Sequence, residues 1–226
     1  MMPLNVFIGY DPRQPVAFQV AAHSAWSKTK APCMSLHRLT LANLPLTRRG
    51  LTEFTYSRFL APYLCGFQGI SLFLDSDVLV RADLAELLAY PMMEPATPVF
   101  VVQGPRRFEW ASVMVFNNAL CTILTPEYLQ NPQLNPLKFE WAQTVGTLPA
   151  DWNHLVGYDA PMANAKIVHF TAGIPIWEET KHCEYAEEWR KTAKHSMSSV
   201  SFEALMGQSV HKVAMQTGAM QLKAVS

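Results

Sequence analysis

The apolar positions of this chain fall into short runs of strand length, separated by turn residues and by stretches of helical spacing. "LNVFIGY", from Leu4 to Tyr10, is one such run and closes on Gly9 and Tyr10. "DPRQP" breaks it. "VAFQVAAHSAWSKT" then repeats at helical spacing, with Val16, Val20, His23 and Ser27 on one face and Ala17, Ala21 and Ser24 beside them. "CMSLHRL" returns to strand character. Strand, loop, helix, strand is the opening of an α/β sheet, with a binding crevice expected at the carboxyl end of the first strand. Further along, "TEFTYSRFLAPYL" reads as a helix with Thr52 as cap, and "DLAELLAY" as a short helix capped near Asp83. "TPVFVVQ", "ASVMVFN" and "AKIVHF" read as strands, and "CEYAEEWRKTAKH" as an amphipathic helix. The stretch from Leu120 to Gly146 has no usable period. One domain is expected over residues 1–195, with residues 196–226 as a peripheral helix or tail.

One run breaks the pattern. "ISLFLDSDVLV", Ile70 to Val80, reads as a buried strand interrupted by Asp75 and Asp77. A buried carboxylate is costly unless it is paired, hydrogen-bonded or bound to metal. Residues two apart in a strand share a face, so the two acids are expected to converge where the strand ends. Such a pair suits a hard divalent cation shared with a substrate's phosphates. A turn followed by a helix cap gives the same letters.

Composition narrows the chemistry. Half of the 226 residues are hydrophobic, charged residues make up 16%, and the formal net charge is zero. With no basic stripe, nucleic acid is not an expected partner. Cys33, Cys65, Cys121 and Cys183 show no metal-type spacing and fit reduced thiols in a cytoplasmic protein. The opening "MMPLNVFIGYDP" reads as a first strand rather than a signal peptide, and no membrane span is expected.

"LFLDSDVLV" also resembles the first motif of haloacid-dehalogenase-type phosphatases, in which Asp75 would be the nucleophile. That motif normally opens the chain, and its late acidic partner motif is reduced here to "GYDAPMAN".

An ordered set of segments points elsewhere. "TYSRFLAPYL" precedes "LFLDSDVLV"; "ASVMVFN", "LPADWNHLVGYD" and "KIVHFTAGIPIW" follow. Over Asn5 to Trp189 this order resembles the retaining glycosyltransferases of the glycogenin/galactosyltransferase type, glycosyltransferase family 8. The resemblance implies a GT-A fold, a mixed central sheet flanked by helices. It implies Mn²⁺ or Mg²⁺ as cofactor, a nucleotide-sugar donor, a UDP-sugar in this family, and a sugar or glycan acceptor. It implies that Asp75, Asp77 and His169 hold the metal. Gly9, Tyr10 and Asp11 match the loop that receives the base, Arg58 an arginine near the diphosphate or sugar, and Ser76 and Gly173 further donor-binding positions. Gly173 and Trp177 close the family's H-F-x-G-x-x-K-P-W-like segment, and Trp152 and Asn153 match "LPxxWN", where packing is an equal expectation. The family's lysine before Pro-Trp is absent from "GIPIW", so Arg58, Arg106, Arg107 or Lys181 is expected to contact the diphosphate in its place. That absence also admits a non-catalytic nucleotide-sugar binding module. The family's Asp-Gln pair upstream of "LPxxWN" is missing, which leaves the acceptor and sugar contacts open, and no carboxylate nucleophile stands out.

Overall fold

The computed structural model describes residues 3–196. The tail expected from residue 196 onward lies, beyond Ser196 itself, outside the described residues. The chain opens with β1 (Leu4–Gly9), α1 (Pro15–Lys28) and β2 (Met34–Leu39). An irregular stretch with a 3₁₀ turn at Ser57–Leu60 leads into α2 (Ala61–Leu64). Then come β3 (Ile70–Leu74), β4 (Val78–Val80), α3 (Ala89–Met93), β5 (Val99–Val101), β6 (Val113–Asn117), α4 (Pro126–Gln130), β7 (Val145–Thr147), β8 (His154–Leu155), β9 (Ile167–His169) and α5 (Ala186–Ser196).

Six strands form a sheet in the order β2-β1-β3-β6-β5-β7. β1 runs parallel to both β2 and β3, whereas β6 is antiparallel to β3 and β5. Both faces of this sheet are covered. Leu4, Val6 and Ile8 of β1 join Ile70, Leu72 and Leu74 of β3 and Val113 and Val115 of β6 in one core. The alternate residues Phe7, Phe73, Met114 and Phe116 enter a second core on the other face. Burial on both faces explains why these strands read as continuous apolar runs.

The run "ISLFLDSDVLV" is two strands, not one. β3 ends at Leu74, and β4 leaves to build a second sheet in the order β4-β9-β8. Asp75 and Asp77 therefore occupy the link between two sheets, not a shared strand face. α1 packs on β4, β1 and α5. Its buried stripe is Ala17, Phe18, Val20, Ala21, Ser24 and Ala25; Val16 and His23 flank it half-buried, and the exposed side runs through Gln19 and Trp26.

The helix expected over "TEFTYSRFLAPYL" is broken. Thr52–Tyr56 is irregular, and a helix starts only at Ala61, with Pro62 in its first turn. A proline is tolerated there because that N–H has no intrahelical partner, and the turn that runs into it from upstream is 3₁₀ rather than α-helical. The expected cap at Asp83 is present, its carboxylate accepting from the Ala85 N–H. The unassigned stretch holds α4, capped by Thr125, and β7. Gly146 lets β7 lie against Phe100, since a Cβ there would fall 2.2 Å from the ring. The four cysteines are free, and no helix among the described residues is long and apolar enough to cross a membrane.

The strand β4 is stitched to α1 by one buried hydroxyl. Ser24 Oγ accepts from the Val80 N–H at 3.0 Å and donates to the Ala21 carbonyl. Ser24→Ala removes the partner of that N–H, which costs about 1–3 kcal/mol where the group stays buried. Urea unfolding should show a lower midpoint at unchanged slope; an unchanged midpoint would mean that the N–H finds another partner.

Candidate metal centre at the end of the third strand

The backbone brings the candidate ligands together through pairing. Asp75 N–H donates to the Ser112 carbonyl at 2.9 Å, which fixes the first residue past β3 against the start of β6. In the second sheet, Val78 of β4 stands opposite His169 of β9, and the Asp77 carbonyl accepts from Phe170 N–H. That register delivers the imidazole to the Asp77 side chain. His169 Nε2 lies 3.3 Å from Asp77 Oδ1 and 4.0 Å from Asp75 Oδ2. One ligand atom from each of Asp75, Asp77 and His169 falls within 4.8 Å of the others.

Two further charges complete the cluster. Arg58, from the 3₁₀ turn, is buried and places Nη1 3.0 Å from Asp75 Oδ1. The same nitrogen donates to the Ala111 carbonyl at 2.7 Å, and the guanidinium lies over the Phe54 and Phe73 rings. Glu109, which the sequence reading passed over, is also buried. Its Oε2 sits 3.6 Å from His169 Nδ1 and accepts from Ser112 Oγ, while Oε1 accepts from Thr171 Oγ1. Asn153 is not simply packing: Oδ1 is 3.1 Å from His169 Nδ1, and Nδ2 donates to the Glu109 carbonyl. Its neighbour Trp152 is buried in a core. No signal in one sequence marks Glu109, because His169, Asn153 and Thr171 reach it from segments far along the chain.

The electrostatics follow from burial and crowding. Desolvation raises the Asp75 carboxyl to about 6, against the pull of Arg58 and with a further push from Asp77. Burial alone lowers an imidazole's pKa, but here the Asp77, Asp75 and Glu109 carboxylates outweigh it and raise His169 to about 9. Without metal, His169 is therefore a cation at neutral pH, not a neutral ligand near its ordinary value of about 6.5. Asp75 Oδ1 is buried, within ion-pair distance of Arg58 yet without an aligned hydrogen bond. An under-satisfied buried oxygen, a second carboxylate and an imidazole aimed at both make a donor set that fits a divalent ion.

The other expected site residues are more dispersed. Gly9 ends β1, and a Cβ there would strike the Phe54 ring at 2.5 Å. The Tyr10 ring meets Phe18 edge-on and carries the Arg38 guanidinium at 4.7 Å. Asp11 is clasped by Arg13, whose hydrogen bonds hold its carboxyl below the usual range. Ser76 is buried in the turn between the two acids. Gly173 adopts φ 122°, a conformation that favours glycine, beside Trp177. Arg58 is spent on Asp75. Arg107 donates to the Lys138 carbonyl, and Lys181 pairs with Glu178. Arg106 lies over Tyr158 and lines a cavity of about 500 Å³ that also has Glu109 and Asn153 in its wall. A larger cavity, about 650 Å³ and lined by Asn5, Phe7, His37 and Cys65 among others, contains no residue of the cluster.

No protein-family model matches the chain. Protein CDI of Arabidopsis thaliana is 30% identical over an alignment of 226 residues, which covers 83% of this chain and 85% of that one. This chain belongs to the Protein CDI family. Members of the GT-A glycosyltransferases share its fold. The bifunctional glycosyltransferase WbbM superposes with a TM-score of 0.61 at 15% identity, over 84% of this chain and 49% of WbbM. This chain thus spans about half the length of WbbM. The galactosyltransferase LgtC, solved with donor and acceptor sugar analogues, gives 0.61 at 14% identity, over 88% of this chain and 98% of LgtC. GlyE of Streptococcus pneumoniae TIGR4 gives 0.58 at 15%, over all of this chain and 66% of GlyE. The fold is GT-A, as the ordered motifs implied.

The raised His169 value has a consequence for stability. A group whose folded pKa lies above its unfolded one stabilises fully below the unfolded pKa and loses that contribution as pH rises through the folded pKa. In metal-free protein, His169→Gln should therefore lower the melting temperature most near about pH 6, with the deficit shrinking as pH approaches about 9. Melts across that window check it; a deficit constant in pH would mean that His169 stabilises by packing alone.

Proposed function

We propose that this chain is a metal-dependent glycosyltransferase that moves a hexosyl unit from a UDP-linked sugar to a sugar or glycan acceptor, with retention of anomeric configuration. The observation that carries this reading is the Asp75–Asp77–His169 group at the end of β3 on a GT-A frame. LgtC, which shares that frame, was solved with donor and acceptor sugar analogues. The GT-A unit is taken to comprise residues 1–195 and to work in the cytoplasm, where four unpaired thiols would stay reduced.

Asp75, Asp77 and His169 would hold the ion, and a donor set with one nitrogen favours Mn²⁺ over Mg²⁺. When bound, a divalent ion supplies Lewis-acid stabilisation of the charge that develops on the departing diphosphate. The chain's own residues position and neutralise. β1 and β3 are parallel neighbours with Ile8 opposite Leu74, so the loop Gly9–Asp11 leaves the sheet at the same edge as Asp75. That supports Gly9, Tyr10 and Asp11 as the base-receiving loop, with Ser76 and Gly173 beside the donor. Arg58 tempers the charge of Asp75. Arg106, in the wall shared with Glu109, is the best placed of the expected cations to replace the missing lysine.

A second reading, a non-catalytic nucleotide-sugar binding module, is favoured by the commitment of Arg58 to Asp75. Release of sugar from UDP-sugars with Mn²⁺ separates the two, because a module binds and releases nothing. The phosphatase reading does not agree with the fold. Asp75 follows the third strand of a GT-A sheet and converges with a histidine.

UDP binding should need the ion, since Asp75 and Asp77 repel a bare diphosphate. Because His169 stays protonated up to about 9, metal binding must displace that proton. Calorimetry near about pH 7.5, in buffers of different ionisation enthalpy, should show about one proton released per Mn²⁺, with affinity rising toward higher pH. Equal UDP affinity with chelator, or no proton release, would remove the metal role. Proton NMR of the first-formed product should show the donor's anomeric configuration; the opposite anomer would remove the retaining assignment.

A further inference from the structure

We propose that Asn153 is a positioning residue for His169, locked by Glu109 so that the imidazole presents Nε2 to the Asp75–Asp77 pair. The proposal rests on the metal reading above and adds to it the part of the chain that sets the ligand's tautomer.

The argument is one of donors and acceptors. The Glu109 carbonyl can only accept, and the Asn153 amide end 3.2 Å away must therefore be Nδ2. The other end of the amide, facing His169 Nδ1 at 3.1 Å, is then Oδ1, which can only accept. His169 Nδ1 must carry the proton. In the neutral ring the lone pair is left on Nε2, the atom that faces Asp77 and Asp75. Turning the amide over would set carbonyl against carbonyl at Glu109. Glu109 is itself held still: it is 4% exposed, and Ser112 and Thr171 each donate to one of its carboxylate oxygens. Its Oε2, 3.6 Å from Nδ1, puts negative charge on the same side of the ring and makes Nε2 a stronger donor. Asn153 precedes β8, Glu109 lies between β5 and β6, and Thr171 follows β9, so three segments meet behind one imidazole. A ligand histidine whose far nitrogen is bonded in this way is oriented before the ion arrives.

The test compares wild type with Asn153→Leu and Asn153→Asp. Mn²⁺ affinity is read by electron paramagnetic resonance, with a melting curve on each protein. Asn153→Leu should weaken Mn²⁺ by roughly 10–100-fold. Asn153→Asp, which still accepts from Nδ1–H but sets an oxygen against the Glu109 carbonyl, should recover only part of that loss. In ¹⁵N-histidine-labelled wild type loaded with Zn²⁺ as a diamagnetic probe, NMR should find the proton on Nδ1 of His169. If Asn153 only packs, Asn153→Leu will melt lower at unchanged Mn²⁺ affinity, and the proposal fails. It fails equally if the loaded wild type carries its proton on Nε2. Should Asn153→Leu not fold, the wild-type spectrum decides. Wild type that takes no Mn²⁺ removes the metal reading and this proposal together. Wild type that binds while Asn153→Leu binds equally well removes this proposal alone.

Discussion

The constraint on which the rest of this molecule depends is the crowding of three carboxylates, two of them buried and Asp77 half-buried, into one corner. Asp75, Asp77 and Glu109 surround one imidazole, with Arg58 as the nearby fixed cation. Removing a charge from water costs several kcal/mol even after relaxation, and a lone buried carboxylate would take up a proton instead. Asp75, pushed to about 6, shows how far the site already leans that way. Its charge is kept by the guanidinium at 3.0 Å, and that guanidinium is itself held by Phe54, Phe73 and the Ala111 carbonyl. A buried arginine inside "TYSRFL" must reach inward from whatever backbone carries it. The 3₁₀ turn at Ser57–Leu60 does this where an exposed amphipathic helix would not.

The same constraint organises the two sheets. If β3 continued straight, both acids would lie in a hydrophobic slab between β1 and β6. Breaking the strand after Leu74 places them where the six-stranded sheet ends and the three-stranded one begins. β4 then finds β9, and that pairing, residue against residue, carries His169 to Asp77. Site and topology are one feature. A slip of β4 against β9 by one residue would turn the imidazole to the opposite face.

Much of this was legible in the chain, and the failures have causes. The alternating cores of β1, β3 and β6 were visible as apolar runs, and Asp75, Asp77 and His169 were visible through their ordered motifs. The split of "ISLFLDSDVLV" was not, because two short buried strands in series have the same letters as one long one. The helix expected over Thr52–Leu64 failed because period alone takes no account of Pro62 or of the pull of Asp75 on Arg58. The shift of His169 left no mark in the sequence because its neighbours Val168 and Phe170 are apolar; the acids that raise it lie up to some ninety residues away in the chain. Glu109 and the polar role of Asn153 exist only in three dimensions.

Charge balance also bears on the lysine missing from "GIPIW". Without metal, protonated His169 and Arg58 leave the three carboxylates one charge short of neutral. A divalent ion that displaces the histidine's proton closes the gap, and the cluster becomes neutral. A neutral cluster has no surplus cation for an incoming diphosphate, whose charge exceeds what the ion can offset once it has compensated its own ligands. On the proposed reading the balance would come from a side chain outside the cluster that no carboxylate among the described residues claims. Arg58 belongs to Asp75, Lys181 to Glu178, and Arg13 to Asp11. Arg106 is held by the face of the Tyr158 ring, a neutral partner that a phosphate could outbid, and it stands in a wall shared with Glu109. If the proposed donor binds here, neutralisation would fall to the loop between β5 and β6, which carries Arg106 and Arg107.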